Sequence, residues 1–67
     1  NADKYIAMIM DVTNRISGNI VAGKLKAAYL IAVQYKMHTQ VERIRTEAIR
    51  QKQQSIVTLC DKYLDEQ

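Results

Sequence analysis

The stretch Gly23-Lys24-Leu25-Lys26-Ala27-Ala28-Tyr29-Leu30-Ile31-Ala32-Val33 decides the fold. After its two lysines come almost only small or apolar side chains, more than one apolar stripe along a helix can hold. It reads as a helix buried on most of its circumference. Ala22, Gly23, Ala27, Ala28 and Ala32 are small enough to let a neighbouring helix approach closely. Lys24 and Lys26 can lay their stems over apolar surface and keep their charges in water. So much apolar surface in a chain of 67 residues implies an internal helix of something larger.

Working outward, the spacing predicts a helix on either side and a fourth beyond. The first spans about 2–17, capped by Asn1 or Asp3, with Tyr5, Ile9, Val12 and Ile16 at helical spacing and Ile6 and Met8 flanking. Gly18 is placed to end it in the left-handed conformation, and Asn19 to cap the next. The central helix covers about 20–37, with Leu25, Ala28, Tyr29 and Ala32 along one face. Thr39 followed by Glu42 has capping-box spacing, so a third helix runs over about 40–52 with Val41, Ile44 and Ala48 inward. Ser55 can cap a fourth, about 55–65, striped by Ile56, Leu59, Cys60, Tyr63 and Leu64. The junction Gln51-Lys52-Gln53-Gln54 favours helix, which leaves open one continuous rod or a hairpin; such a hinge permits domain swapping.

Composition agrees with an all-helical chain of one domain. There is no proline and there are only two glycines. No apolar run approaches the roughly 20 residues that span a bilayer, and Asn1-Ala2-Asp3-Lys4 does not open a signal peptide. The chain starts without methionine, which reads as an excised or processed piece. Cys60 is the single cysteine, so no disulfide forms within the chain and a buried thiol is expected. The net charge of +3 is unevenly spread: basic residues dominate from Arg15 to Lys52, and acids collect toward the ends.

Chemistry is thin. His38 is the only histidine and has no ligand partner at metal spacing, so it reads as a loop residue. Asp61 and Asp65 stand one helical turn apart and read as solvated surface rather than a cation site. No nucleophile motif, phosphate-binding loop or zinc pattern is present, so neither an enzyme nor a cofactor is expected. Arg43, Arg45, Arg50 and Lys52 along one helix form a candidate partner-binding row for an acidic patch. Glu42 and Glu47 interrupt that row and no aromatic side chain interleaves it, so nucleic acid is not an expected partner. Anionic lipid fits little better, because the helix lacks Trp or Phe anchors. Tyr5, Tyr29, Tyr35 and Tyr63 with Met8, Met10 and Met37 suit core packing first and a partner groove second.

The block Gly23 to Val33 resembles the extreme C-terminus of the spastizin family, large proteins with a FYVE zinc finger. Val41 to Ala48 is similar to that family's next helix. The ending Ile56-Val57-Thr58-Leu59-Cys60-Asp61-Lys62-Tyr63-Leu64 repeats its aliphatic-Cys and aromatic-Leu pairs. The resemblance implies a non-enzymatic scaffold, cytoplasmic at the late endosome and lysosome surface, with spatacsin and the fifth adaptor-protein complex as partners. It also implies roles in endolysosomal sorting, autophagy and lysosome reformation, and cytokinesis, and a link to spastic paraplegia. The zinc finger's Cys/His clusters and basic motif are not in this chain, so zinc and lipid-headgroup binding do not transfer.

These readings converge on antiparallel helical hairpins, either the terminal piece of an α-solenoid or a small four-helix bundle. Leu25, Tyr29, Ala32, Ile44, Leu59 and Tyr63 are the expected core. The bundle alternative is a free-standing module that binds a partner helix or self-associates; a basic nucleic-acid or lipid binder is the third.

Overall fold

The computed structural model describes residues 2–66. Its elements are α1 (Ala2–Val21), α2 (Leu25–Gln34), α3 (His38–Arg50) and α4 (Gln54–Asp65), with no strand among the described residues.

One turn is used at all three junctions. Gly23, Lys36 and Lys52 adopt left-handed φ of 79°, 54° and 59°. In each case that residue's N–H donates to a carbonyl three positions back: Gly23 to Ile20 at 3.0 Å, Lys36 to Val33 at 3.1 Å, Lys52 to Ile49 at 3.2 Å. The following N–H reaches five positions back, from Lys24 to Asn19, Met37 to Ala32 and Gln53 to Ala48, each at 2.8 Å. This is the Schellman motif, which satisfies carbonyls that a helix end leaves unpaired. Lys24, Met37 and Gln53 also start the next helix, their carbonyls accepting from Ala28, Val41 and Val57. Connections this short fold each helix back along its predecessor.

The turns move several helix ends from where local signals put them. Gly18 does not end α1, which runs to Val21; burying Ile16 and Ile20 outweighs the roughly 1 kcal/mol that a mid-helix glycine costs. The left-handed residue is Gly23 instead. Asn19 caps nothing and donates from Nδ2 to the Arg15 carbonyl at 2.9 Å. The central helix is accordingly shorter than 20–37. Thr39 and Glu42 lie inside α3 and Ser55 inside α4, whose N-caps Met37 and Gln53 make no side-chain capping bond. Each of these starts is fixed by the Schellman motif before it, so capping chemistry one or two residues later has no role. Helices α3 and α4 are separate elements. Asp3 sits in the first turn of α1, and Asn1, the other candidate cap, lies outside the described residues.

Packing follows the turns. Val12, Ile16 and Ile20 form the buried stripe of α1; Leu25, Ala28 and Ala32 that of α2; Val41, Ile44 and Ala48 that of α3. Ile56, Val57 and Cys60 complete the core from α4. Alanines at α2 and α3 contacts let backbones approach closely. Of the expected core, Leu25, Ala32 and Ile44 are fully buried, while Tyr29, Leu59 and Tyr63 are half-buried against it. The Tyr29 hydroxyl donates to the Leu59 carbonyl at 3.4 Å, tying α2 to α4. The central helix is less enclosed than its composition suggests: Leu30 is exposed, and Ile31 and Val33 are half-buried.

Each helix packs on its neighbour in sequence, and α1 also meets α3 and α2 meets α4; among the described residues α1 and α4 share no contact. A closed four-helix bundle would bring the first and last helices together. This chain is instead an open stack of two antiparallel hairpins, with a Cα framework of 39 × 27 × 14 Å. That is the arrangement of an α-solenoid, in which each unit touches only its neighbours.

Candidate interaction surfaces

Arg43, Arg45, Arg50 and Lys52 do not form one stripe. Arg43 and Arg45 flank the buried face of α3 and leave it on opposite sides. Arg43 reaches α1, donating from Nη1 to the Ser17 hydroxyl at 2.8 Å. Arg45 reaches α4 and ion-pairs with Asp61. Arg50 is gripped within α3 by Glu47 through two bonds, Nε to Oε2 at 2.7 Å and Nη2 to Oε1 at 3.1 Å. These bonds hold the Glu47 carboxyl below its ordinary range and push the Arg50 guanidinium up. Lys52 lies beyond α3, exposed at the left-handed position of the last turn.

The repeated turn lets the hairpins be compared residue by residue. Aligning Gly23 with Lys52 sets Val12 against Val41 and Ile16 against Arg45. Val12 and Val41 are both buried, as their shared place in the stack requires. Ile16 is fully buried where the second hairpin covers it, but its counterpart Arg45 is half-exposed and paired with Asp61. The outer side of α4 is polar as well, presenting Gln54, Thr58, Asp61, Lys62 and Asp65 as exposed residues. On the α3–α4 side an ion pair thus stands at the place of Ile16, while Ile49, the counterpart of the buried Ile20, is exposed. Sequence reading missed the Arg45–Asp61 pair, although a tight hairpin brings together residues about equally distant from its turn.

The opposite feature appears on α1. Its 20 residues outrun the 10 of α2, so its first turns project past the α2–α3 connection. Tyr5, Ile6, Met8 and Met10 are exposed there, and Tyr35 lies at the nearby turn. Of the tyrosines and methionines read first as core, Tyr29, Tyr63 and Met37 do pack against it, and these others do not.

His38 is the first residue of α3 rather than a loop residue, its ring against Tyr63 at 5.4 Å. Asp61 is taken up by Arg45, and the shallow open recess around Asp61 and Asp65 also holds Lys62. No group of metal-ligating side chains is found among the described residues. Cys60 is fully buried; burial, and secondarily Asp61, push its thiol up to about 11, with Arg45 opposing. Burial also raises the Tyr29 hydroxyl, helped by Cys60, Glu66 and Tyr63. No helix among the described residues is long and apolar enough to cross a membrane.

Against known proteins, the family model described as ZFYVE26-like, TPR repeats matches residues 1–65. A curated protein of Dictyostelium discoideum, Protein DDB_G0276689, is 35% identical over 66 residues, covering 98% of this chain. The chain spans only 2% of that relative's length. No solved structure matches.

Proposed function

This chain belongs to the family of ZFYVE26-like TPR repeats, a helical scaffold type, and from that premise we propose that it is the closing unit of an α-solenoid. The reading rests on one observation. Arg45, ion-paired to Asp61, stands where the first hairpin has the buried Ile16. A repeat that another hairpin follows needs an apolar residue at that place; a terminal one needs a polar outer face to stay soluble. On this reading the chain is non-enzymatic and serves as a platform for protein binding.

The spastizin-like resemblance supplies the cellular setting of the proposal. The chain works within a larger scaffold on the cytoplasmic face of late endosomes and lysosomes, where it supports sorting, autophagic lysosome reformation and cytokinesis. Spatacsin and the fifth adaptor-protein complex are the proposed partners.

The closing role is tested by making the end face apolar. With Arg45→Ile and Asp61→Leu combined, sedimentation velocity should show concentration-dependent association, while the unaltered chain stays monomeric. A double variant that remains monomeric at the same concentrations would sink the closing reading. The partner assignment is tested separately, by passing purified spatacsin and the purified adaptor complex over the immobilised chain. Failure to retain either removes them as direct partners.

A further inference from the structure

We infer that the end of the stack carrying the first and third turns is a docking edge for an acidic protein segment. The inference rests on the scaffold reading above and adds the site and the chemistry of its partner. Because the helices alternate in direction, the α1–α2 and α3–α4 turns lie at the same end, and α1 and α3 are in contact. That puts Lys24 and Lys26 at the same end of the stack as Arg50 and Lys52, four exposed cations from sequence segments far apart. Glu47 is the one acid among them, and it holds Arg50 in a fixed orientation. Asp61 and Asp65, late in α4, and Glu66 just after it lie away from this end.

The chemistry of the edge selects among anionic partners. Neighbouring helices stand about 8–10 Å apart, a gap that an extended chain of roughly three residues bridges at about 3.3 Å each. An acidic stretch can thus place carboxylates at both turns at once. Single-stranded nucleic acid is held in part by stacking its bases on aromatic platforms. Seating in a bilayer interface, beyond attraction to its surface charge, uses aromatic anchors. Neither is offered here: Tyr5, Tyr35 and Tyr63 belong to the other end of the stack, and the Tyr29 hydroxyl is engaged with Leu59.

The test is fluorescence anisotropy of a labelled Asp/Glu peptide titrated with the chain at low salt and at about 0.15 M. Lys24→Glu with Lys52→Glu should weaken binding about tenfold or more, since steering by like-sign clusters is the quantity being reversed. Lys36→Glu with Lys62→Glu is the matched control. It makes the same change in net charge, and each pair alters one left-handed lysine. The control should stay within about twofold of the unaltered chain. Equal losses from both pairs would reduce the edge to net charge and overturn the inference. So would tighter binding to vesicles with about a third phosphatidylserine than to the peptide. A folded monomer that binds no peptide discards the edge and leaves the closing role standing. Self-association of the unaltered chain discards the closing role instead.

Discussion

Gly23 and Lys52 hold the same place in two copies of one turn, at φ of 79° and 59°. Only the glycine fits that backbone without strain, because a Cβ in the left-handed region costs roughly 1–2 kcal/mol. The chain therefore tolerates at Lys36 and Lys52 what it avoids at Gly23, and the difference can be measured.

Replacing Lys52 or Lys36 with glycine should stabilise the chain by about 0.5–1 kcal/mol, the relief of strain being partly offset by the greater freedom of glycine when unfolded. Urea unfolding followed by circular dichroism reads this directly. Lys52→Gly should also suppress any species in which α3 and α4 fuse into one rod. A loss of stability in both variants would contradict the left-handed assignment.

The two glycines should respond to alanine with opposite signs. Neither has an atom within 4 Å of where a Cβ would stand, so conformation alone decides. Gly18→Ala should raise stability by about 0.5–1 kcal/mol, because residue 18 lies within a helix. Gly23→Ala should lower it by about 1 kcal/mol or more, because residue 23 is left-handed. Thermal melts of both variants suffice, and equal shifts would mean that α1 ends elsewhere.

Core truncation should be severe for so small a chain. Ile16 and Ile44 are fully buried, and trimming either to alanine typically costs about 2–5 kcal/mol through lost burial and an unfilled cavity. Arg45→Ala and Asp61→Ala should by contrast cost about 1 kcal/mol or less each, since their ion pair is half-exposed. A double-mutant cycle on that pair separates its coupling from its effect on association.

Acid and base should each remove one specific contribution. The Glu47 carboxyl is lowered in the folded chain, chiefly by its bond to Arg50, so its contribution is present above the ordinary carboxylate range and disappears as pH falls through its folded value. Glu47→Gln should slightly reduce the fall in melting temperature between neutral pH and about pH 3. The Cys60 thiol is shifted the other way, to about 11, so its contribution is complete below the ordinary thiol range and declines as pH rises beyond it. Alkylation of Cys60 near pH 8 should accordingly be slow in the folded chain and fast in denaturant; rapid labelling of folded protein would place the thiol at the surface.

Much of this architecture was legible from hydrophobic period alone. Val41, Ile44 and Ala48 repeat at helical spacing and are all buried, and the same holds for Val12 and Ile16. Helix ends were less legible, because Gly18, Thr39 and Ser55 carry sound local signals that tertiary packing and the repeated turn override. The left-handed lysines give no compositional hint at all. The candidate surface was only half legible: a row of basic letters on one helix says nothing of which side each residue leaves from. Arg43 departs toward Ser17 and Arg45 toward Asp61.

Because α4 does not meet α1 among the described residues, the last of these four helices to be synthesised does not have to find the first. Among the described residues, α3 and α4 each pack back only against the two helices that precede it. Chains dominated by such local contacts fold in microseconds to milliseconds, whereas synthesis adds about 5–20 residues per second. Each hairpin can thus settle as it emerges, long before the next arrives, and the assembly order is written into the direction of translation.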